Sequence, residues 1–118
     1  MIGVVKLILK LVWNLRTIFI LPLDLQYRII PYQLLRVIAQ QIFIIYKPEL
    51  ADCDDFAWLY KAEASKREEN GIGLVIGWYR GLHCWNVAIT DKGVLQIEPQ
   101  TGNIFRWNIH YIPILVII

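Results

Sequence analysis

Very little in this chain would hold a small secreted scaffold together or draw it to nucleic acid. There are two cysteines in 118 residues, and Cys84 adjoins His83 in an apolar strand pattern, so a disulfide framework is not expected. The pattern fits a reducing, cytoplasmic setting. Charged residues make up 19%, below the usual value of about 25%. The net charge is only +2, and no basic run is interleaved with aromatics, which argues against a nucleic-acid partner. Cys-x-x-Cys and His-Glu-x-x-His spacings are absent, and Gly71-x-Gly73 lacks the full phosphate-binding fingerprint, so no metal and no cofactor are expected. Lys10 and Arg16 interrupt the one apolar stretch of about 20 residues that could span a bilayer, and no small-residue cleavage site marks a secretory signal.

What is abundant is apolar surface. Hydrophobic residues reach 57%, against about 45–50% in ordinary soluble domains. Most of the excess lies in residues 1–50, where Pro22, Pro31 and Pro48 punctuate the chain. From Val4 to Leu21, Lys6, Lys10 and Asn14 recur every four residues, which gathers the polar groups on one stripe of an amphipathic helix. Leu34, Leu35, Ile38, Ile42 and Ile45 predict a second helix over 32–46. These hydrophobic N-terminal helices offer a membrane-surface or protein contact, or a homo-oligomer interface.

Residues 51–118 read differently, within what is expected to be one compact domain overall. Asp52 is a good N-cap for a helix from Cys53 to about Glu69, with Phe56, Leu59, Tyr60 and Ala64 on its apolar side and Asn70-Gly71 as its stop. Strands are then predicted over 74–79, 83–90, 94–98, 104–107 and 112–118, with Asp91-Lys92-Gly93 as a hairpin turn. The order predicts an α+β fold, with N-terminal helices packed on one side of a small antiparallel sheet.

The candidate chemistry gathers around Cys53. A thiol at a helix N-terminus lies near unpaired N–H groups that favour its anion, and His83 on a following strand could serve as its base. Cys53 with Asp55-Phe56-Ala57, then His83-Cys84-Trp85-Asn86, then Glu98-Pro99-Gln100-Thr101, resembles the core of the transglutaminase-like superfamily of papain-like cysteine enzymes. The segments are also similar to those of short uncharacterised proteins, many encoded by phages. The resemblance covers roughly residues 50 to 118. It implies a Cys-His-acid catalytic triad, with Cys53 as nucleophile, His83 as base and Glu98 orienting the imidazole. The implied activity is a cysteine hydrolase or acyltransferase acting on an amide-type carbonyl in a peptide or protein substrate. The alternative is a catalytically silent module of the same fold that binds a protein or a membrane surface.

Asp54, Asp55, Trp85, Asn86 and Gln100 complete the candidate set in supporting or substrate-binding roles. Asp55 also suits a helix cap, Trp85 suits packing, and Asn86 either bonds to backbone or replaces Glu98 beside the histidine. Cys84 is expected in the core and His110 at the surface. The hairpin register is decisive for Glu98: pairing Thr90 with Val94 sets Glu98 opposite Asn86, on the face away from His83. A two-residue turn, or a bulge at Glu98-Pro99, would bring it round.

Overall fold

The computed structural model describes residues 1–42 and 45–118. Chain order runs β1 (Ile2–Gly3), α1 (Val4–Leu15), β2 (Phe19–Leu21), β3 (Gln26–Tyr27), α2 (Tyr32–Gln41), α3 (Cys53–Lys66), β4 (Ile72–Trp78), β5 (Leu82–Thr90), β6 (Gly93–Glu98), β7 (Asn103–Phe105) and β8 (Ile112–Ile117). One six-stranded sheet has the order β2-β8-β4-β5-β6-β7, and β1 pairs with β3 in a separate ribbon. Within the large sheet β2 and β8 run parallel and the other pairs antiparallel.

The expected arrangement is corrected in two respects. Helices cover both faces of the sheet, not one. Leu7, Leu11 and Leu15 of α1 pack with Val75, Trp85, Val87, Ile89 and Val116, while Leu35 and Ile38 of α2 and Tyr60 and Ala64 of α3 pack with Ile72, Ala88, Leu95 and Ile97. The reason lies in β4 and β5. β4 has no polar side chain apart from its terminal indole, β5 has only His83, Asn86 and Thr90 besides the Trp85 indole, and both are buried along most of their length, so alternate residues on each side need a cover.

The second correction concerns the N-terminal region, which is not wholly helical. The helix predicted to reach Leu21 ends at Leu15, where Arg16 takes a left-handed φ of 56° and returns its N–H to Val12. Thr17 Oγ1 then donates to the Ile114 carbonyl at 2.5 Å, and residues 19–21 add a parallel strand to β8. Pro22 disfavours helical geometry in the residue before it, and the exposed edge of β8 supplies the backbone partners the segment needs. The second helix stops at Gln41. The part of that prediction falling on residues 43 and 44 lies outside the described residues.

Local chemistry accounts for the remaining elements. Asp52 precedes α3 in extended geometry, and Asp55 Oδ2 accepts the Asp52 N–H at 3.1 Å, satisfying a donor that the helix leaves free. Thr90 pairs directly with Gly93, leaving Asp91-Lys92 as a two-residue turn; Gly93 has a φ of 99° that disfavours a side chain. Gly77 makes room for the core, since a Cβ there would lie 2.7 Å from Trp85 Cη2.

Candidate functional site

The two-residue turn sets the chemistry of the sheet. Asn86 pairs with Ile97, so Glu98 shares a face with Trp85 and His83, not with Asn86; of the registers weighed for the turn, the two-residue one holds. His83 Nε2 lies 2.7 Å from Glu98 Oε2, with side chains 14% and 8% exposed. The Tyr111 hydroxyl donates to the same oxygen at 3.2 Å, and the Gln100 N–H reaches Glu98 Oε1 at 3.4 Å. Tyr79 stacks on Tyr111 with ring centroids 4.0 Å apart. The histidine is thus held by a carboxylate that is itself held by a phenol. Burial and Glu98 raise the pKa of Tyr111 above its ordinary value, so the phenol remains a donor at neutral pH.

Cys53 approaches from the other layer. It opens α3, packs with Cys84, Ala57 and Leu74, and lines a cavity of about 440 Å³ with Asp52, Asp54, Trp58, Leu82, Cys84 and His83 among its walls. Among the described residues no hydrogen bond joins the thiol to His83, whose Nε2 is committed to Glu98. Burial pushes the Cys53 thiol up, and the charges of Asp52 and Asp54 push it further; hydrogen bonds from the backbone of Cys84 and Asp54 oppose this only in part. Asp52, Cys53 and Asp54 bring their ligand-type atoms within 4.8 Å of one another. A hydrogen bond with Asp54 leads the causes that raise the Asp52 carboxyl.

A direct consequence is measurable. With Cys84→Ser to leave one thiol, iodoacetamide should alkylate Cys53 with a pH profile displaced to the alkaline side of an ordinary cysteine, because the thiolate reacts and burial disfavours it. His83→Ala should leave that profile in place. A profile on the acidic side that moves when His83 is lost would mean that the imidazole stabilises the thiolate.

The other sequence-named residues fall in separate places. Asp55 caps α3. Trp85 is fully buried and donates from Nε1 to Gln96 Oε1 at 2.8 Å. Asn86, also fully buried, donates to Ala57 and Gly73 carbonyls at 3.0 and 3.1 Å and does not touch His83. Gln100 is exposed, in the turn after β6, and lines a different cleft.

That second cleft is about 620 Å³ and lies between α2 and the Pro99–Asn103 turn. Tyr32, Arg36 and Gln40 line it from one stripe of α2, and Gln100, Thr101 and Asn103 line it from the turn, with Ala39, Ile42, Phe56, Pro99 and Ile104 as its apolar lining. No carboxylate lines it, and no carboxylate pairs with Arg36 among the described residues. Of these polar groups the sequence reading singled out only Gln100. The four-residue spacing of Tyr32, Arg36 and Gln40 was the available signal for the three on α2.

Solved structures of a lectin share this fold. The chain superposes on Polyporus squamosus lectin bound to the human-type influenza-binding epitope Neu5Acα2-6Galβ1-4GlcNAc, at 23% identity and a TM-score of 0.82, covering 97% of this chain and 48% of that one. It also superposes on PSL1a in complex with E64, at 24% identity and a TM-score of 0.84, covering 99% and 51%. The chain therefore spans about half the length of these structures. No family model and no curated protein matches it.

These neighbours overturn the family and fold implied by the Cys53, His83 and Glu98 segments, since lectin structures stand where a transglutaminase-like core was expected. The expected cysteine hydrolase or acyltransferase, its peptide or protein substrate, and the silent protein- or membrane-docking module rested on that resemblance and lose it as their ground. The placement of the three residues is a separate observation: His83 and Glu98 meet at 2.7 Å, and His83 and Cys53 line one cavity.

Proposed function

We propose that this chain is a carbohydrate-binding module and that the cleft between α2 and the Pro99–Asn103 turn seats an acidic sugar. The observation that carries the reading is the cleft's donor set: one guanidinium, three amides and two hydroxyls line it, and no carboxylate opposes an anion. Arg36 presents the planar fork that suits a carboxylate. Gln40, Gln100 and Asn103 each offer both donors and an acceptor, the pairing that sugar hydroxyls require. A volume of about 620 Å³ falls in the range of small-ligand pockets, roughly 300–1,000 Å³. The lectin neighbour bound to a sialylated trisaccharide supports the class of ligand. Because half of that lectin lies outside the match, the seat is argued from the cleft alone. The Cys53 cavity is the poorer seat for such a sugar, since Asp52 and Asp54 on its wall repel a carboxylate.

The test is a titration of isotope-labelled protein with Neu5Acα2-6Galβ1-4GlcNAc, following amide and side-chain NMR signals. Signals of Gln40, Gln100 and Asn103 should move. Arg36→Ala should weaken binding roughly ten- to a hundredfold, the value of a charge-assisted hydrogen bond of about 1.5–3 kcal/mol. Galβ1-4GlcNAc, which lacks the carboxylate, should lose about as much. Signals that stay still at millimolar sugar, or that move only around Cys53, would end the proposal.

A further inference from the structure

Both cysteines of the chain, 31 positions apart, meet at one place. Cys53 opens α3 and Cys84 lies on β5, yet they share a small core cluster and line the same cavity. The alternation of β5 explains the meeting. Asn86, two residues along the strand, points at α3 and donates to the Ala57 carbonyl, so Cys84 on the same face points at the turn that carries Cys53. The Cys84 backbone is near enough to the Cys53 thiol to oppose part of its upward shift, and a disulfide requires two side chains set beside each other in this way. Access is unequal: Cys53 is half-buried and Cys84 buried.

We infer that Cys53 and Cys84 form a reversible intramolecular disulfide under peroxide, a modification that pins the start of α3 to β5 and closes the floor of the cavity. Both cysteines are free in the reduced chain. Hydrogen peroxide first oxidises the accessible Cys53 thiol to a sulfenic acid, releasing one water. The Cys84 sulfur then attacks the Cys53 sulfur. The hydroxyl leaves and takes the Cys84 proton as a second water, so that two thiols and one peroxide give one disulfide and two waters. Burial pushes the Cys84 thiol up to about 12, so the second step should quicken as pH rises. The inference does not depend on what the polar cleft binds.

The experiment is peroxide treatment of the full chain, followed by intact mass, non-reducing electrophoresis and mapping of unreduced peptides. The expected product is a monomer lighter by two hydrogens, with one cross-linked peptide pair holding Cys53 and Cys84 and no thiol left to alkylate. Dithiothreitol should restore both thiols. Under the same treatment Cys84→Ser should yield oxygen adducts on Cys53 or a covalent dimer, and Cys84→Ala guards against a folding defect in the serine variant. Wild-type protein that instead gains oxygen at Cys53, dimerises through it, or keeps both thiols would overturn the inference.

Discussion

Trp85→Ala should cost about 3–5 kcal/mol of folding stability, the range found when a large aromatic is removed from a packed core. Trp85 is fully buried. It lies edge-on to Tyr111, with centroids 5.1 Å apart and planes at 79°, and it belongs to the cluster that joins α1 to the sheet. Its indole N–H also holds Gln96 Oε1 at 2.8 Å, and Gln96 Nε2 in turn holds the Arg106 carbonyl at 3.1 Å. Removing the ring therefore leaves a void and a buried amide oxygen without its donor. Trp85→Phe keeps most of the volume and loses the hydrogen bond to Gln96, so it should fall between Ala and wild type. Urea denaturation followed by circular dichroism separates the two terms. A Trp85→Ala protein with the wild-type midpoint would mean that the shared core of α1 and the sheet contributes little.

Much of the second half of the fold was readable because its signals are local. Asp52 before an apolar helical stripe, Asn70-Gly71 after it, and β-branched runs separated by Arg80-Gly81 and Asp91-Lys92-Gly93 each specify their own neighbourhood. The first half failed where the decisive partner was distant. Nothing near Phe19-Ile20-Leu21 tells a helix end from a strand. The segment becomes a strand because β8 lies beside it, and the Thr17–Ile114 bond that starts the pairing spans 97 positions. The same limit applied to the helix layers, since apolar runs in β4 and β5 call for covers on both faces but do not name them. At the candidate site, one residue of hairpin register separated a Glu98 facing His83 from one facing away. Gly93 and the Thr90 hydroxyl, which donates to the Gly93 carbonyl at 2.7 Å, belong to the turn that set it. The state of the Cys53 thiol was hidden for another reason. Residue types near a helix start do not show how deeply the sulfur is buried or which way two flanking carboxylates point. The polar cleft was the least visible of all, because α2 and the Pro99–Asn103 turn lie some sixty residues apart and share no motif.

Asn86→Leu should destabilise the chain by about 1–3 kcal/mol, although the replacement is apolar and enters a core. Asn86 is fully buried, and its amide bridges the Ala57 carbonyl of α3 and the Gly73 carbonyl of β4 at 3.0 and 3.1 Å. Leucine offers no donor, so both carbonyls, each already an acceptor in its helix or ladder, lose a second bond worth roughly 0.5–1.5 kcal/mol apiece. Asn86 Oδ1 already lacks a partner, which brings the net loss toward the lower end of that sum. Asn86→Asp sharpens the test through its pH dependence. An ionised carboxylate there would face two carbonyl oxygens in a buried site, so folding favours the protonated acid, and the folded-state pKa lies above the unfolded value of about 3.9. The folded state then binds the extra proton. Stability relative to wild type should be greatest below about pH 4 and should fall as pH rises toward the folded pKa. Urea midpoints of wild type, Asn86→Leu and Asn86→Asp at pH 4 and pH 7 decide the matter. A widening deficit for Asp alone identifies the amide as the tie between α3 and the sheet, whereas a Leu variant as stable as wild type would show that packing by itself holds α3 in place.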